Sequence, residues 1–422
     1  MPKIKITEID NTGTLQLSNS GNSAFILGPA AEGATIGSAV KEYSTVSAFE
    51  GDVKSETNAT GWIATEYNSK PSASYYIAKE MLSQGIGVVY ASLASNATLP
   101  ADVVNAIKKI EDKAKYNVRF IYLGDYANDE ANAKGYFKQA CLSAAKRGDC
   151  VALIDVPSKY TTVGTDATDE SIRGFIADVV TDVNDAVGKQ GDYAGLANAT
   201  TFAAAFAPWI NVKIDYKDVL VPGSAGYLLA YANSIKSNPV WYAAAGTFRG
   251  IIPELTSVSI EFSNADCEVL QARSATGEVA LDDAEDNKGI AINPIAYVSP
   301  YGYIVWGNRT LKDNQGSDSL TATSFLNIRV LATEIAKTVY SAARRYTFEQ
   351  NNNVLWANFK SMITPLLDRM QSGNGINGYK ITKLSADRRG ILKARITIIP
   401  IEAVEDFDIE VVMENSIAEV TE

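Results

Sequence analysis

Four consecutive residues, Trp306, Gly307, Asn308 and Arg309, have the makings of a ligand site. The indole would offer a stacking face, the guanidinium a clamp for an anion, and Gly-Asn a tight turn between them. Ile304 and Val305 precede Trp306, so three apolar residues in a row would bury both faces of a strand here. That context favours a structural reading, in which a buried strand ends in a turn and Arg309 satisfies a carboxylate or backbone carbonyls.

The other chemical candidates fare no better. Residues 373–378, Gly-Asn-Gly-Ile-Asn-Gly, satisfy the spacing Gly-x-Gly-x-x-Gly. A dinucleotide loop needs a strand before it and a helix after, so that phosphate meets the helix N-terminus. Here the pattern predicts a helix before and a strand after. Asp282, Asp283, Glu285 and Asp286 could attract a hard cation, but they lack EF-hand spacing and read as a solvated linker. The chain has no histidine, hence neither the commonest general base nor the commonest transition-metal ligand. Cys141, Cys150 and Cys267 are too few and too scattered for a disulfide framework or a zinc site. There is no Walker A motif and no spacing that singles out a nucleophile. No catalytic residue, cofactor or metal is expected.

The elements that would position these residues alternate in type. Residues 23–30 read as a buried strand, and helix and strand patterns alternate through residue 157, as in a sheet of βαβ units. Helices are predicted at 171–187 and around 225–236. The acidic stretch 282–289 reads as a linker and places a domain boundary near 285/286. After it come two strands in 290–311, an amphipathic helix over 324–346, a second helix that Pro365 should kink or interrupt, and strands ending near 400. The apolar stripe of the first helix is Ile328, Leu331, Ile335, Val339 and Ala342. In the strand at 391–401, Leu392, Ala394, Ile396 and Ile398 alternate with Lys393, Arg395 and Thr397. The fold class is therefore α/β and α+β in a multi-domain chain. Its parts are an extended arm at 1–20, an outer α/β domain at 21–285, an inner α+β domain at 286–400 and an extended arm at 401–422.

Charge is segmented. The chain carries 38 basic and 49 acidic residues, a net −11 that argues against a nucleic-acid binder. Residues 291–400 hold 14 Lys+Arg against 6 Asp+Glu, while 401–422 hold 8 acidic residues and none basic. No run of apolar residues is long enough to span a membrane, and the first residues lack the pattern of a signal peptide, so membrane insertion is not expected and assembly in a cytoplasm is.

The C-terminal third resembles a known family. "NPIAYVSPYGYIVWGNRTL", "SFLNIRVLATEIAKTVYSAARRYTFEQNNNVLWANFK", "GYKITKL" and "RGILKARITIIPIEAVEDFDIEVVM" are similar, in that order, to the C-terminal domain of contractile tail sheath proteins. Upstream, "SAFILGPAAEG", "AAKRGDCVALIDVP", "FAAAFAPWINV", "VPGSAGYLLAYANS" and "VWYAAAG" are collinear with it. The helix interrupted by Pro365 and the lack of a large inserted outer domain are departures. The resemblance implies a structural subunit of a bacteriophage tail or contractile injection particle, assembled in the host bacterial cytoplasm. Such subunits stack in six-fold rings as a helical homopolymer around an inner tail tube, between baseplate and terminator proteins, and contract to drive the tube through an envelope. Tyr303, Val305 and Trp306 would then be core strand residues and Arg309 a structural anchor. A ligand-binding α/β protein or enzyme, and a passive shell protein, remain the rival readings.

Two sets of residues are candidates for assembly. The basic excess suggests that Arg329, Lys337, Arg344, Arg345, Lys360 and Arg369 face an acidic tube. The alternating ends, Lys3, Ile4, Lys5 and Ile6 with Phe407, Asp408, Ile409, Glu410 and Val411, have opposite charge and unpaired backbone. The resemblance implies that such arms cross subunit boundaries and complete a sheet on a neighbour.

Overall fold

The computed structural model describes residues 23–31, 40–93, 99–161, 169–189, 191–196, 198–271, 290–312, 321–385, 390–401 and 403. The arm at 1–20, residues 282–289 and all of the arm at 401–422 except Ile401 and Ala403 lie outside these residues.

In chain order the elements are β1 (Ser23–Pro29), β2 (Val40–Tyr43), α1 (Val46–Glu50), the short β3 (Glu66–Tyr67) and β4 (Lys70–Pro71), α2 (Ala73–Ser83), β5 (Gly87–Leu93) and α3 (Leu99–Lys109). Next come β6 (Phe120–Tyr122), α4 (Ala133–Arg147), β7 (Val151–Ile154), α5 (Asp169–Gly188), β8 (Ala203–Ala207), β9 (Ile210–Ile214) and β10 (Lys217–Val221). These are followed by α6 (Gly223–Ser234), α7 (Gly246–Arg249), β11 (Leu255–Val258), α8 (Asn264–Leu270), β12 (Ile292–Val298) and β13 (Gly302–Val305). The chain closes with α9 (Leu326–Arg345), α10 (Asn353–Ser372), β14 (Ile376–Leu384) and β15 (Lys393–Pro400).

Eight strands form one sheet in the order β13-β12-β8-β7-β6-β1-β5-β2. The inner six are parallel, and the outer two pair antiparallel. Parallel strands joined by helices are covered on both faces, which is why β1 and β7 are apolar almost throughout. Alternation survives in where the residues go. Phe25 and Leu27 enter the core with Ile107, Phe137 and Ile176 of α3, α4 and α5. Ala24 and Ile26 enter the core with Ile77, Met81 and Leu228 of α2 and α6.

The sheet continues past the boundary expected at 285/286. β12 pairs in parallel with β8, and β13 pairs with β12, so residues assigned to the start of the inner domain are strands of the large sheet. An acidic composition marks a segment as hydrophilic and carries no information on whether a sheet continues after it. What stands apart is α9, α10 and the antiparallel β14–β15 hairpin, packed around Trp241, Ile335, Val339, Ile363, Leu367 and Met370.

Pro365 does not interrupt its helix. α10 is continuous from Asn353 to Ser372, capped by the Asn352 side chain, which accepts from the Leu355 N–H at 2.9 Å. Proline removes one hydrogen bond to the carbonyl of Ser361. Both residues are exposed, so that carbonyl can turn to water.

Candidate assembly surfaces and the joint behind them

The end of the sheet where α/β proteins bind ligands is occupied by helix caps. Asp125, just after β6, accepts from Ser72 Oγ at 2.6 Å and from the Ala73 N–H at 2.9 Å at the start of α2. Asp155, just after β7, accepts from the Ser224 N–H at 2.8 Å and Ser224 Oγ at 2.5 Å at the start of α6. Burial pushes Asp155 up to about 7, against the pull of these hydrogen bonds. Both carboxyl groups are buried and committed to helix N-termini. The three cysteines are buried, and desolvation pushes Cys141 and Cys150 up to about 12 and Cys267 up to about 11, away from thiolate chemistry. Among the described residues there is no cluster of three metal-ligating side chains, and no helix long and apolar enough to cross a membrane.

The Trp306–Arg309 segment joins the sheet to α9. Ile304 and Val305 are fully buried, but Trp306 is 40% exposed and Tyr303 only half-buried. Trp306 is therefore not a core residue: β13 ends at Val305, and although the Trp306 N–H still donates to the Pro294 carbonyl at 2.8 Å, its indole is left partly in solvent. A Cβ on Gly307 would lie 2.7 Å from Asn293 Oδ1, so only glycine allows this approach. Asn308 accepts from the Leu326 N–H through its carbonyl at 2.9 Å and from the Asn327 N–H through Oδ1 at 3.1 Å. It thereby holds two of the otherwise unpaired donors at the start of α9. Arg309 is buried, with its guanidinium 5.0 Å from the Phe325 ring centre.

The residue that ties this segment together was not singled out by the sequence. Asn293 Nδ2 donates to the carbonyls of Ala205 and Arg309, each at 2.9 Å, and its Oδ1 accepts from the Arg309 N–H at 2.7 Å. A fully buried asparagine inside the apolar run "IAINPIAYV" was the available signal.

Helix α9 has two working faces. Leu331, Ile335, Val339 and Ala342 carry α10 and the hairpin. A second face docks on the sheet through charged residues. Arg329 donates to Thr201 Oγ1 at 2.9 Å and lies 4.2 Å from the Phe202 ring centre, Glu334 pairs with Arg119, and Lys337 donates to the Val118 carbonyl at 2.6 Å. Arg329 and Lys337 are 2% and 0% exposed, so neither can face a tube. A position off the apolar stripe predicts solvent exposure, but this face of α9 meets the sheet.

Arg344, Arg345, Lys360 and Arg369 are exposed on α9 and α10. The hairpin adds Lys380, Lys393 and Arg395, which lie on its outer face in the register Lys380↔Thr397, Thr382↔Arg395 and Leu384↔Lys393. Its inner face, Tyr379, Ile381, Ala394, Ile396 and Ile398, rests on the helices. Neither long edge of this two-stranded ribbon is paired among the described residues. The glycine-rich segment 373–378 runs from the end of α10 into β14, with only residues 373–375 between the two elements, and the Gly373 carbonyl accepts from Trp241 Nε1 at 3.0 Å. Lys3–Ile6, Phe407–Val411 and the linker carboxylates Asp282, Asp283, Glu285 and Asp286 lie outside the described residues.

No family model matches the chain. The tail sheath protein of Vibrio phage KVP40 is 22% identical over 375 residues, which cover 86% of this chain and 50% of that protein. The chain thus spans about half the length of the curated relative it matches. Among solved structures, the sheath complex of an extracellular contractile injection system (PVC) in its contracted state aligns with TM-score 0.61 at 16% identity, covering 98% of each chain. The contracted helical sheath of the anti-feeding prophage (AFP) aligns with TM-score 0.60 at 15% identity, covering 98% of this chain and 99% of that one. The contracted AFP baseplate structure aligns with TM-score 0.63 at 14% identity, covering 98% and 97%.

Proposed function

We propose that this chain, which has the fold of contractile-sheath subunits and is related in sequence to a phage tail sheath protein, is itself a sheath subunit. Its work would be mechanical and non-enzymatic. Copies would stack as six-fold rings into a helical tube around an inner tail tube, capped by baseplate and terminator proteins. Rearrangement of the copies would shorten the tube and drive its contents through an envelope. The observation that carries this reading is the likeness to sheath subunits over 98% of both chains. The energy for such a stroke would be stored in assembly as a kinetic trap, which suits a chain without a nucleotide-binding motif. Successive rings need heterologous contacts that do not close.

The C-terminal unit supplies the contacts. Its unpaired hairpin edges would receive strands from neighbours, and the terminal arms 1–20 and 401–422 would donate them. Strand addition gives affinity through main-chain bonds, and flexible connections let copies rotate without separating. Arg344, Arg345, Lys360 and Arg369 are the exposed residues proposed to meet an acidic tube. Negative-stain microscopy of the purified protein at high concentration tests the reading. Tubes that adopt a long and a short form support it, a single helical form points to a passive shell, and a monodisperse particle overturns it.

A further inference from the structure

Buried charge gathers at the base of the large sheet, where β6 and β7 begin. Arg119, Arg147, Asp149 and Lys337 are each no more than 1% exposed. They come from the residue before β6, the end of α4, the approach to β7 and the middle of α9. Arg147 and Asp149 form a two-pronged pair, with Nε–Oδ1 and Nη2–Oδ2 both at 2.8 Å. Arg147 also donates to the carbonyls of Ile110 and Tyr116. Arg119 is paired with Glu334 of α9. Lys113, from the segment after α3, adds a further cation acting on Asp149. Cys150 stays a neutral thiol, pushed up to about 12. The groups acting on Lys337 are the cations Arg119 and Arg147, the anion Asp149 and the neutral Cys150; one step further out, Lys113, whose own ammonium burial pulls down, acts on Asp149, and Glu334 pairs with Arg119.

Lys337 is placed differently from the other three. Its nitrogen donates to the Val118 carbonyl at 2.6 Å and to Asn117 Oδ1 at 3.1 Å, both neutral oxygens. A neutral amine has two N–H donors and an ammonium three. The two acceptors match the neutral form. Each nearby carboxylate is already engaged by an arginine. Burial pulls the Lys337 ammonium down to about 7, opposed by the charge of Asp149 and assisted by Arg119 and Arg147.

We propose that Lys337 is a proton-operated latch between α9 and the base of the sheet: as an amine it holds the joint, and as an ammonium it loosens it by setting a fourth cation against two carboxylates. Because α10 and the hairpin are packed on the opposite face of α9, the whole C-terminal unit would loosen with it. The Asn308 contacts and Arg329 at the start of α9, about 12 Å along the helix from Lys337, would serve as the pivot. This device belongs to the chain's own fold and does not rest on the sheath reading.

The sign follows from linkage. A released lysine titrates near 10.4 and the docked one at about 7, so the docked state binds fewer protons between these values. Docking is strongest above that window, weakens as pH falls through it, and levels off below about 7. One proton changes the equilibrium at most about tenfold per pH unit.

Amide exchange of the full-length protein, corrected for the intrinsic pH dependence of exchange, tests this with peptides covering 117–123 and 326–345. Between pH 9 and pH 7 their protection should fall by up to about a hundredfold in wild type and stay level in Lys337→Met. Parallel behaviour of the two proteins overturns the latch. Should Lys337→Met fail to fold, the wild-type series decides. Loss of protection concentrated in these two peptides supports the latch, and pH-independent protection, or loss spread evenly over the sheet, overturns it.

Discussion

The eight-stranded sheet and the β14–β15 hairpin are both built from apolar strands, yet they are left in opposite conditions. The sheet has helices on both faces, and its two edge strands, β2 and β13, are only four residues long. Short edges discourage further pairing, and on the β13 side Ile251 already bridges to Ile304. The hairpin strands run nine and eight residues, with one face on α9 and α10 and the other bearing Lys380, Lys393 and Arg395. Ile399 is 59% exposed on that outer face. An isolated two-stranded ribbon is marginal in water. Among the described residues the first region has its faces covered and only short edges, whereas the second keeps both long edges unpaired, the edges proposed above to receive strands from neighbours.

The comparison breaks most directly at the ends of the chain. Deleting 406–413, or 1–10, should leave a folded, soluble monomer with unchanged unfolding behaviour that forms no tubes in the electron microscope. Tubes from either truncated protein would mean that the hairpin edges are not completed by the arms.

Inside the molecule, the largest single effect is expected where the two regions are spliced. Asn293→Leu keeps similar volume but strands the Arg309 N–H and the carbonyls of Arg309 and Ala205 without their partner. Buried groups left unpaired in this way should cost about 3 kcal/mol in denaturant unfolding. A loss below about 1 kcal/mol would show that the splice is held by packing alone. Asp155 should come next, and its effect depends on pH. Its folded value of about 7 lies above the ordinary 3.8, so the folded state keeps a proton that the unfolded state releases. Its contribution is fully present below about 4 and is lost as pH rises through about 7. Relative to Asp155→Asn, wild type should lose about 2 kcal/mol over that range, roughly half the limit set by the shift, since a buried site relaxes around its charge. A pH-independent difference between the two would mean that Asp155 is charged throughout.

Much of this architecture could be read from the chain, for a physical reason. Period-2 and period-3.6 patterns report which faces of an element are buried, and they placed β1, α2, α4, β7, α9 and the alternating face Leu392, Ala394, Ile396 and Ile398. They do not report what lies against a face. The pattern therefore marks Arg329 and Lys337 as surface residues, although long side chains can dock a helix on a second body. Trp306 failed in the opposite sense, since three apolar neighbours carry no mark of where a strand stops. Asn293 and the Arg119–Glu334 pair escaped because their partners are distant in sequence, 215 residues apart in the second case. The likeness to sheath proteins came from ordered motifs rather than from periodicity, and no periodicity could have supplied it.

The smallest effect on stability is expected on the outer surface, where the effect on assembly should still be measurable. Arg344 and Arg345 are exposed in the last turn of α9, so reversing both to Glu removes favourable charge from a helix C-terminus and little else. Exposed substitutions of this kind change stability by about 0.5 kcal/mol each or less. Their role, if they meet an acidic tube, is long-range attraction, which salt screens over about 10 Å at 0.1 M ionic strength. Arg344→Glu/Arg345→Glu should therefore unfold almost like wild type, form sheath alone, and co-assemble with tube less well, with the deficit largest at low salt. Sedimentation of sheath with tube across a salt series measures this. A deficit that did not shrink with added salt would point to a local clash, and equal co-assembly at every salt concentration would remove these two arginines from the tube-facing surface.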